Sequence, residues 1–420
     1  MRKTYGLLSK LLVVLLAGSF GVRADVVTDW NAIAVSTAVA NLQTPFAQAR
    51  YAAIVQLAVF EATNSITHEY RPYLGTITAP KGASAEAAAV EAAYIVLSTY
   101  FPASQPDLLI DRSNSLATIP DGQSKTDGLA VGLAAANAMI ALRANDGSSP
   151  GTFYTPGPAV PGAWQATASC PIVNGVASGV AFQWGSVTPF GITSAADFLL
   201  PPPPALPGNL YAKAYYEVKK IGSVDSTDRP TDRANVVLFY AAATPTEVFN
   251  QAAVQVALEQ GRSPMQNARD LALINMAISD SIVAAFFNKY TYTFWRPETA
   301  IHAGDTDGNP KTKGDPSWAP FVTTPCFPSY PSNHGSAANG AAAVMQRLYG
   351  EGGHSITLTN SAVPTIILHY TSFSQITHDI SDARVYGGIH YRTDQEAGAD
   401  LGQAVGKEVY RRNLRPVRDR

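Results

Sequence analysis

The sequence predicts an all-α protein made of two helical halves. Alanine-rich segments with apolar residues at helical spacing recur along the chain, and no segment shows a convincing strand-like alternation. Proline, glycine and serine interrupt this pattern between Pro150 and Pro207, and the four consecutive prolines at 201–204 exclude a helix there. We therefore expect an N-terminal half over residues 25–205 and a C-terminal half over residues 206–420.

Seven helices are expected from the spacing of their apolar residues. The second is apolar on nearly all sides, which is typical of a buried helix. In chain order, the expected helices are Trp30 to Ala40, Ala47 to Ile66, Ala85 to Tyr100, Lys125 to Asn145, Thr246 to Gln260, Met265 to Tyr290, and His334 to Tyr349.

The composition indicates a globular protein and argues against a nucleic-acid partner. Of the 420 residues, 46% are hydrophobic and 15% are charged, so the chain can bury a large core. Its formal net charge is −2, and no basic stripe alternates with aromatic residues as in nucleic-acid binders. The sequence leaves the oligomeric state open.

The first 24 residues have the pattern of a signal peptide. Basic residues precede an apolar run from Leu11 to Leu16, and Val22 and Ala24 have the spacing that a signal peptidase accepts. We expect export to the periplasm or secretion, with a mature chain that begins at Asp25. A retained membrane anchor is the alternative, although this run is short for a bilayer. No membrane span is expected in the mature chain.

Cys170 and Cys326 are the only cysteines. In an oxidising compartment they permit one disulfide, but two cysteines do not make a thiolate metal site. The sequence alone leaves their pairing open.

The first chemical motif places two cations near the end of a helix. Lys289 and Arg296 are about two helical turns apart and would share one face before Pro297 ends the helix. Such a pair fits an anion site. It also fits a solvated basic pair at a helix C-terminus, where the helix dipole favours positive charge.

The second motif is the stretch FPSYPSNHGSAANG, which begins at Phe327. Ser332 occupies the position of a helix N-cap, and the N–H groups of Asn333, His334 and Gly335 would have no partner within the helix. Unpaired N–H groups at the positive end of a helix dipole can bind an oxyanion. A capped, buried helix start with a structural histidine is the alternative.

The third motif is Arg384-x5-His390-x3-Asp394. The glycine pair at 387–388 can turn the chain so that Arg384 and His390 converge. One turn of a new helix separates His390 from Asp394, whose carboxylate could fix the tautomer of the imidazole. A structural histidine–aspartate pair explains this motif equally well when it is taken alone.

Taken together, the three motifs favour a site for a multiply charged anion. Lys289, Arg296 and Arg384 would repel one another strongly if they met without a counter-charge. An oxyanion bound among them would provide that charge.

The ordered motifs Lys-x6-Arg-Pro, Pro-Ser-x-His and Arg-x5-His-x3-Asp resemble the signature of vanadium-dependent haloperoxidases and of the type-2 phosphatidic acid phosphatase superfamily. The likeness extends to the N-terminal segments TDWNAIAV and ARYAAIVQLAVFEATNSI. It implies an all-α fold of two helical bundles. The sequence departs from the usual pattern at Asn333, where glycine is common, and at Ala383, where serine is common.

In a haloperoxidase, the resemblance implies that vanadate is the cofactor and that hydrogen peroxide and halide are the substrates. His390 would bind vanadium, and His334 would contact the axial oxygen and manage the proton. The oxyanion oxygens would be bound by Lys289, Arg296, Ser332, Asn333 and Arg384.

In a secreted acid phosphatase, the same residues would need no cofactor. His390 would attack the phosphorus of a phosphate ester with help from Asp394, and His334 would protonate the leaving alcohol. A non-catalytic oxyanion-binding protein, in which Asn333 obstructs turnover, is a third reading. Phe327, a candidate halide-site residue like that of chloroperoxidase-like members, favours the haloperoxidase.

Overall fold

The structure is a computed structural model that describes residues 25–417. The predicted signal peptide, residues 1–24, lies outside the described residues. Thirteen α-helices form most of the described chain: α1 (Val26–Ala40), α2 (Pro45–Thr67), α3 (Ala85–Tyr100), α4 (Gln105–Ala117), α5 (Gln123–Arg143), α6 (Asn209–Ile221), α7 (Thr231–Ala242), α8 (Pro245–Glu259), α9 (Pro264–Tyr292), α10 (Pro297–His302), α11 (Asn333–Tyr349), α12 (Phe373–Tyr386) and α13 (Arg392–Arg412).

Two antiparallel hairpins supply the remaining regular structure of the described residues apart from short 3-10 turns. Their strands are β1 (Ile172–Val173), β2 (Val176–Ala177), β3 (Gly352–Leu358) and β4 (Leu368–Ser372), with β1 paired to β2 and β3 to β4. The predicted all-α class is confirmed. Buried and exposed residues alternate in part of β3, and this strand was not predicted from the sequence.

All seven expected helices are present, with ends within a few residues of the expected bounds. No α-helix lies between α5 and α6 in the described chain, in agreement with the proline-rich interruption. The predicted division of the chain near residue 205 stays a prediction.

The core of the molecule is α9, which packs against α2, α11 and α13. Ser263 caps its start and forms a reciprocal capping box with Gln266, while Pro264 occupies the first turn without loss of a hydrogen bond. The helix ends before Thr293, whose φ is +46°. This rigid helix carries Lys289 on its last turn.

Among the described residues, one helix is long and apolar enough to cross a membrane, and it is α9. In its most apolar stretch, 94% of the residues are buried inside the protein. Its apolar surface is therefore covered by neighbouring helices, as in the core of a soluble fold.

Helices α11 and α13 approach each other closely because small residues face each other. A Cβ on Gly402 would lie 2.1 Å from the carbonyl oxygen of Ser336, and a Cβ on Gly406 would lie 2.4 Å from that of Gly340. Real Cβ atoms do not approach so closely, so glycine is required at both positions of α13. This contact fixes the start of α11 beside the start of α13, where the second and third motifs meet.

Cys170 and Cys326 form a disulfide, with Cα atoms 5.3 Å apart. The bond joins the long irregular segment after α5 to the segment that precedes Phe327. The structure thus answers the pairing question that the sequence left open.

Candidate oxyanion site

The three motifs converge around a cavity of about 450 Å³. Its wall includes five of the residues predicted from the sequence, namely Phe327, Asn333, His334, Arg384 and His390. A larger cavity of about 720 Å³ lies between α1 and α8, but no lysine, arginine or histidine lines it. The smaller cavity is therefore the candidate site.

Lys289 lies behind the wall of this cavity and is fully buried. Its Nζ donates to the carbonyl oxygens of Pro328, Ser329 and Pro331 at 2.7, 2.8 and 2.5 Å. Burial and the neighbouring Arg296 hold the pKa of Lys289 well below its usual value. In this conformation the ammonium group uses all three of its donors to hold the turn before α11.

Arg296 does not share a helix face with Lys289, contrary to expectation, because α9 ends at Tyr292 and Arg296 is the N-cap of α10, which Pro297 begins. Arg296 connects the first motif to the other two. Its Nε donates to Phe327 O at 2.8 Å, and its Nη1 donates to Ile389 O at 2.7 Å and to His390 Nε2 at 3.0 Å. Its Nη2 is buried and has no hydrogen-bond partner among residues 25–417. Burial lowers the pKa of Arg296 to about 9, so the side chain stays positively charged at neutral pH.

Arg384, in the last turn of α12, provides a second unpaired donor. Its Nη1 donates to Tyr240 O at 2.8 Å, whereas its Nε is buried without a partner. Burial lowers the pKa of Arg384 to about 10. Two charged guanidinium groups thus have an N–H without a partner among the described residues: that of Arg384, in the cavity wall, and that of Arg296, which contacts His390 in the same wall.

The chain reverses direction between Arg384 and His390, as the glycine pair predicted. Gly388 has a φ of +81°, and a Cβ there would lie 2.3 Å from Gly222 O. His390 does not belong to the new helix, contrary to expectation, because Tyr391 is the N-cap of α13. Its side chain nevertheless reaches Asp394.

His390 is held as a neutral imidazole with a defined tautomer. Its Nδ1 lies 2.9 Å from Asp394 Oδ2, which accepts, so Nδ1 carries the proton and Nε2 is the acceptor for Arg296. Burial and the nearby cations keep the pKa of His390 well below 6.5. Burial raises the pKa of Asp394.

The start of α11 adds backbone donors. The Oγ of Ser332 accepts from Gly335 N at 3.1 Å, which confirms Ser332 as the N-cap. The N–H groups of Asn333 and His334 precede the first intrahelical bond and carry the positive end of the dipole. Desolvation and the three cations lower the pKa of His334 well below 6.5.

Phe327 forms an apolar wall between the cations and the cavity. Its ring centroid lies 5.2 Å from Lys289 Nζ and 5.0 Å from Arg296 Cζ. Both distances are within the range of cation–π attraction. Phe327 therefore helps to hold two charges that form no direct ion pair within the described chain, although Asp394 attracts both at longer range.

Sequence reasoning missed Ser329. This serine is fully buried, and its Oγ donates to Asp394 Oδ2 at 2.6 Å. It lies three residues before Ser332 in the second motif. That position gave no signal, because serine is common in turns.

The donors fit a tetrahedral oxyanion. Two arginines offer N–H groups without a partner in the described chain, and the helix start offers backbone N–H groups. Neutral His390 has a lone pair at Nε2, which accepts from Arg296 Nη1 here and would have to leave that hydrogen bond to bond a central atom. Buried unpaired donors of this kind destabilise a protein unless a ligand satisfies them. The fold and the site together define an all-α protein with a buried, cationic cavity whose donors suit an oxyanion.

Comparisons with known proteins agree with this description. Residues 269–419 match the family model of the VCPO second helical-bundle domain. The vanadium chloroperoxidase of Curvularia inaequalis is 25% identical over 298 residues, which cover 54% of this chain and 48% of that protein. The chain thus matches about half of the length of this curated relative.

Two solved structures have the same fold. A bacterial vanadium-dependent iodoperoxidase has a TM-score of 0.78 at 22% identity, with 96% of this chain and 100% of that chain covered. The holo form of a bacterial vanadium-dependent chloroperoxidase has a TM-score of 0.68 at 16% identity, with 88% and 92% covered. The resemblance to vanadium-dependent haloperoxidases that the three motifs predicted is confirmed.

Proposed function

We propose that the protein is a vanadium-dependent haloperoxidase, which oxidises halide with hydrogen peroxide at a vanadate held by His390. The observation that carries this proposal is the pair of guanidinium donors without a partner among the described residues, Arg296 Nη2 and Arg384 Nε. Arg384 lines the cavity, and Arg296 contacts the neutral imidazole of His390 in the cavity wall. The relatives named above support the choice of vanadate over other oxyanions.

Each residue has a distinct task in this proposal. His390 Nε2 would hold vanadium, and the two arginines with the amides of Asn333 and His334 would bind and orient the oxygens. Vanadate, when bound, would supply a Lewis acid that activates peroxide toward attack by halide. Ser332 fixes the helix start on which these amides lie.

Protons are handled by His334, whose ring lines the cavity. The nearby cations disfavour the protonated, positively charged form of His334. A bound anion would attract that form and so raise the pKa of His334 toward neutrality. His334 could then accept a proton from peroxide and return it. Lys289 would act through its charge and through the turn that it holds.

A secreted acid phosphatase is the competing function. The same hydrogen bond from His390 Nδ1 to Asp394 would orient Nε2 for attack on phosphorus. Trigonal-bipyramidal phosphorus and vanadate need similar donors, since in both cases charge on the equatorial oxygens is stabilised. Only an assay separates the two chemistries.

The test uses the purified protein freed of phosphate. With vanadate, peroxide and bromide, halogenation of a 1,3-diketone should appear, and added phosphate should suppress it. Rapid hydrolysis of an aryl phosphate without vanadate would instead support the phosphatase. Binding of vanadate with neither activity would leave a non-catalytic oxyanion-binding protein.

A pair of histidine variants controls this test. His390→Ala should abolish halogenation, because it removes the proposed ligand of vanadium. His354→Ala removes another buried histidine, whose ring lies 4.8 Å from that of Phe373, and should leave halogenation unchanged. Normal halogenation by His390→Ala would overturn the proposal.

We also propose that the protein is exported to the periplasm or secreted. The pattern of residues 1–24 supports this, and the Cys170–Cys326 disulfide suits an oxidising compartment. N-terminal sequencing of the protein from a bacterial host should find a chain that starts at Asp25. Recovery of the uncleaved chain in the membrane fraction would contradict cleavage and support the retained membrane anchor.

A further inference from the structure

Ser329 lies at the junction of the three motifs, although none of the tasks above uses it. Its backbone N donates to Phe294 O at 2.9 Å, and its carbonyl oxygen accepts from Lys289. The whole residue is buried. The backbone of Ser329 is therefore fixed on both sides, and its hydroxyl group has little freedom to move.

The hydroxyl group of Ser329 shares one carboxylate oxygen with His390. Ser329 Oγ donates to Asp394 Oδ2 at 2.6 Å, and the same oxygen accepts from His390 Nδ1 at 2.9 Å and from Tyr391 N at 3.1 Å. The other oxygen, Oδ1, is buried and has no partner. Three hydrogen bonds to one oxygen fix the χ2 dihedral angle of Asp394 and so the orientation of its carboxylate.

The direction of each hydrogen bond follows from the chemistry of the groups. An ionised carboxylate can only accept, so the hydroxyl group of Ser329 donates to it. The contact between Ser329 Oγ and His390 Nδ1 is 3.5 Å, which is long for a hydrogen bond, so the ring proton is directed to Asp394 instead. Ser329 thus acts on His390 through the carboxylate.

We propose that Ser329 is a positioning residue of the oxyanion site, which fixes the Asp394 carboxylate so that His390 keeps its proton on Nδ1 and its lone pair on Nε2. This inference rests on the proposed function insofar as Nε2 holds the central atom of the anion. Partners that orient a ligating histidine typically contribute about 10–100-fold to affinity. Ser329→Ala should therefore weaken vanadate binding by about tenfold or more.

The first experiment measures vanadate affinity by titration calorimetry in a double-mutant cycle. The variants are Ser329→Ala, Asp394→Asn and the two combined. If Ser329 acts through the carboxylate, Ser329→Ala should have little further effect in the Asp394→Asn protein. The matched control is Ser281→Ala, since Ser281 is a buried serine of α9 whose Oγ makes no hydrogen bond. It should bind vanadate as the wild type does.

The second experiment is independent of vanadate. Nitrogen-15 NMR of the ligand-free protein reports which nitrogen of His390 carries the proton. The wild type should show the proton on Nδ1, and Ser329→Ala should show a mixture of the two tautomers. A structural role of Ser329 in the turn alone would leave this spectrum unchanged.

The outcomes separate this inference from the proposed function. A wild-type protein that binds no vanadate would overturn the proposed function, while the NMR comparison would still decide the role of Ser329. An unchanged His390 spectrum in Ser329→Ala would overturn the inference. Additive losses of affinity in the double-mutant cycle would overturn it as well.

Discussion

Replacing Arg384 by glutamine should stabilise the ligand-free protein and weaken its affinity for oxyanions. Arg384 forms no ion pair with any residue that the structure describes, and its burial lowers its pKa from 12.5 to about 10. At about 1.4 kcal/mol for each pH unit, the buried charge destabilises the fold by roughly 3 kcal/mol. Loss of the hydrogen bond to Tyr240 O costs about 1 kcal/mol. The free energy of unfolding of Arg384→Gln should therefore exceed that of the wild type by roughly 2 kcal/mol.

Vanadate should reverse this order of stability. A hydrogen bond to a charged group contributes about 1.5–3 kcal/mol, so Arg384→Gln should bind vanadate roughly 10–150-fold more weakly. At a vanadate concentration of about 100 times its dissociation constant, the wild type gains about 2.7 kcal/mol and the variant much less. Without vanadate the variant should be the more stable protein, and with vanadate the wild type.

Urea denaturation in phosphate-free buffer, with and without vanadate, measures both effects. Arg143→Gln is the control, because this buried arginine is paired with Asp146 and donates to the backbone of Thr188 and Pro189. It should destabilise the protein and leave vanadate affinity unchanged. If Arg384→Gln were less stable than the wild type without anion and bound vanadate equally well, the reasoning would be refuted.

Three further predictions concern packing, pH and the two histidines. Gly402→Ala should lower the free energy of unfolding by about 3 kcal/mol, because the new Cβ would clash with Ser336 O. A thermal unfolding midpoint equal to that of the wild type would contradict the close contact between α11 and α13. The free energy of unfolding of the ligand-free protein should fall as the pH drops from about 7 to 6, because the lowered pKa values of His334 and His390 let the unfolded chain bind more protons. The raised pKa of Asp394 opposes this fall only in part, because one carboxyl group acts against two imidazoles. Urea titrations at closely spaced pH values measure this fall, which a rise would contradict. His334→Ala should reduce turnover more than it reduces vanadate affinity, whereas His390→Ala should reduce both. If the two variants lost the same amount of vanadate affinity, the two histidines would not have separate roles.

The sequence predicted most of the long helices because their signal is repeated over many turns, but α13, with 21 residues, was expected only in its first turn. In α9, apolar residues recur at helical spacing from Met265 to Tyr290, so its existence and type were clear. Short helices were harder to predict. In α4, Leu108 and Leu116 are the only buried residues, so it offers little periodic pattern to detect.

The sequence also predicted which segments meet, but not how each donor is used. Spacing predicted that Lys289 and Arg296 share a helix face, which is wrong, because α9 ends at Tyr292. It also could not show that Lys289 donates to three carbonyls of the turn before α11. Such contacts depend on where the loop packs against the helix. The role of Ser329 escaped detection for the same reason, since its partner Asp394 lies 65 residues away.

The central claim is that His390 Nε2 bonds the central atom of an oxyanion among the arginine donors. Crystals soaked in vanadate, with diffraction data collected at a wavelength where vanadium scatters anomalously, test it most directly. The account predicts a single vanadium peak within bonding distance of His390 Nε2, with Arg296 Nη2 and Arg384 Nε donating to the oxygens. A vanadium peak elsewhere, or a cavity that stays without one at saturating vanadate, would contradict it.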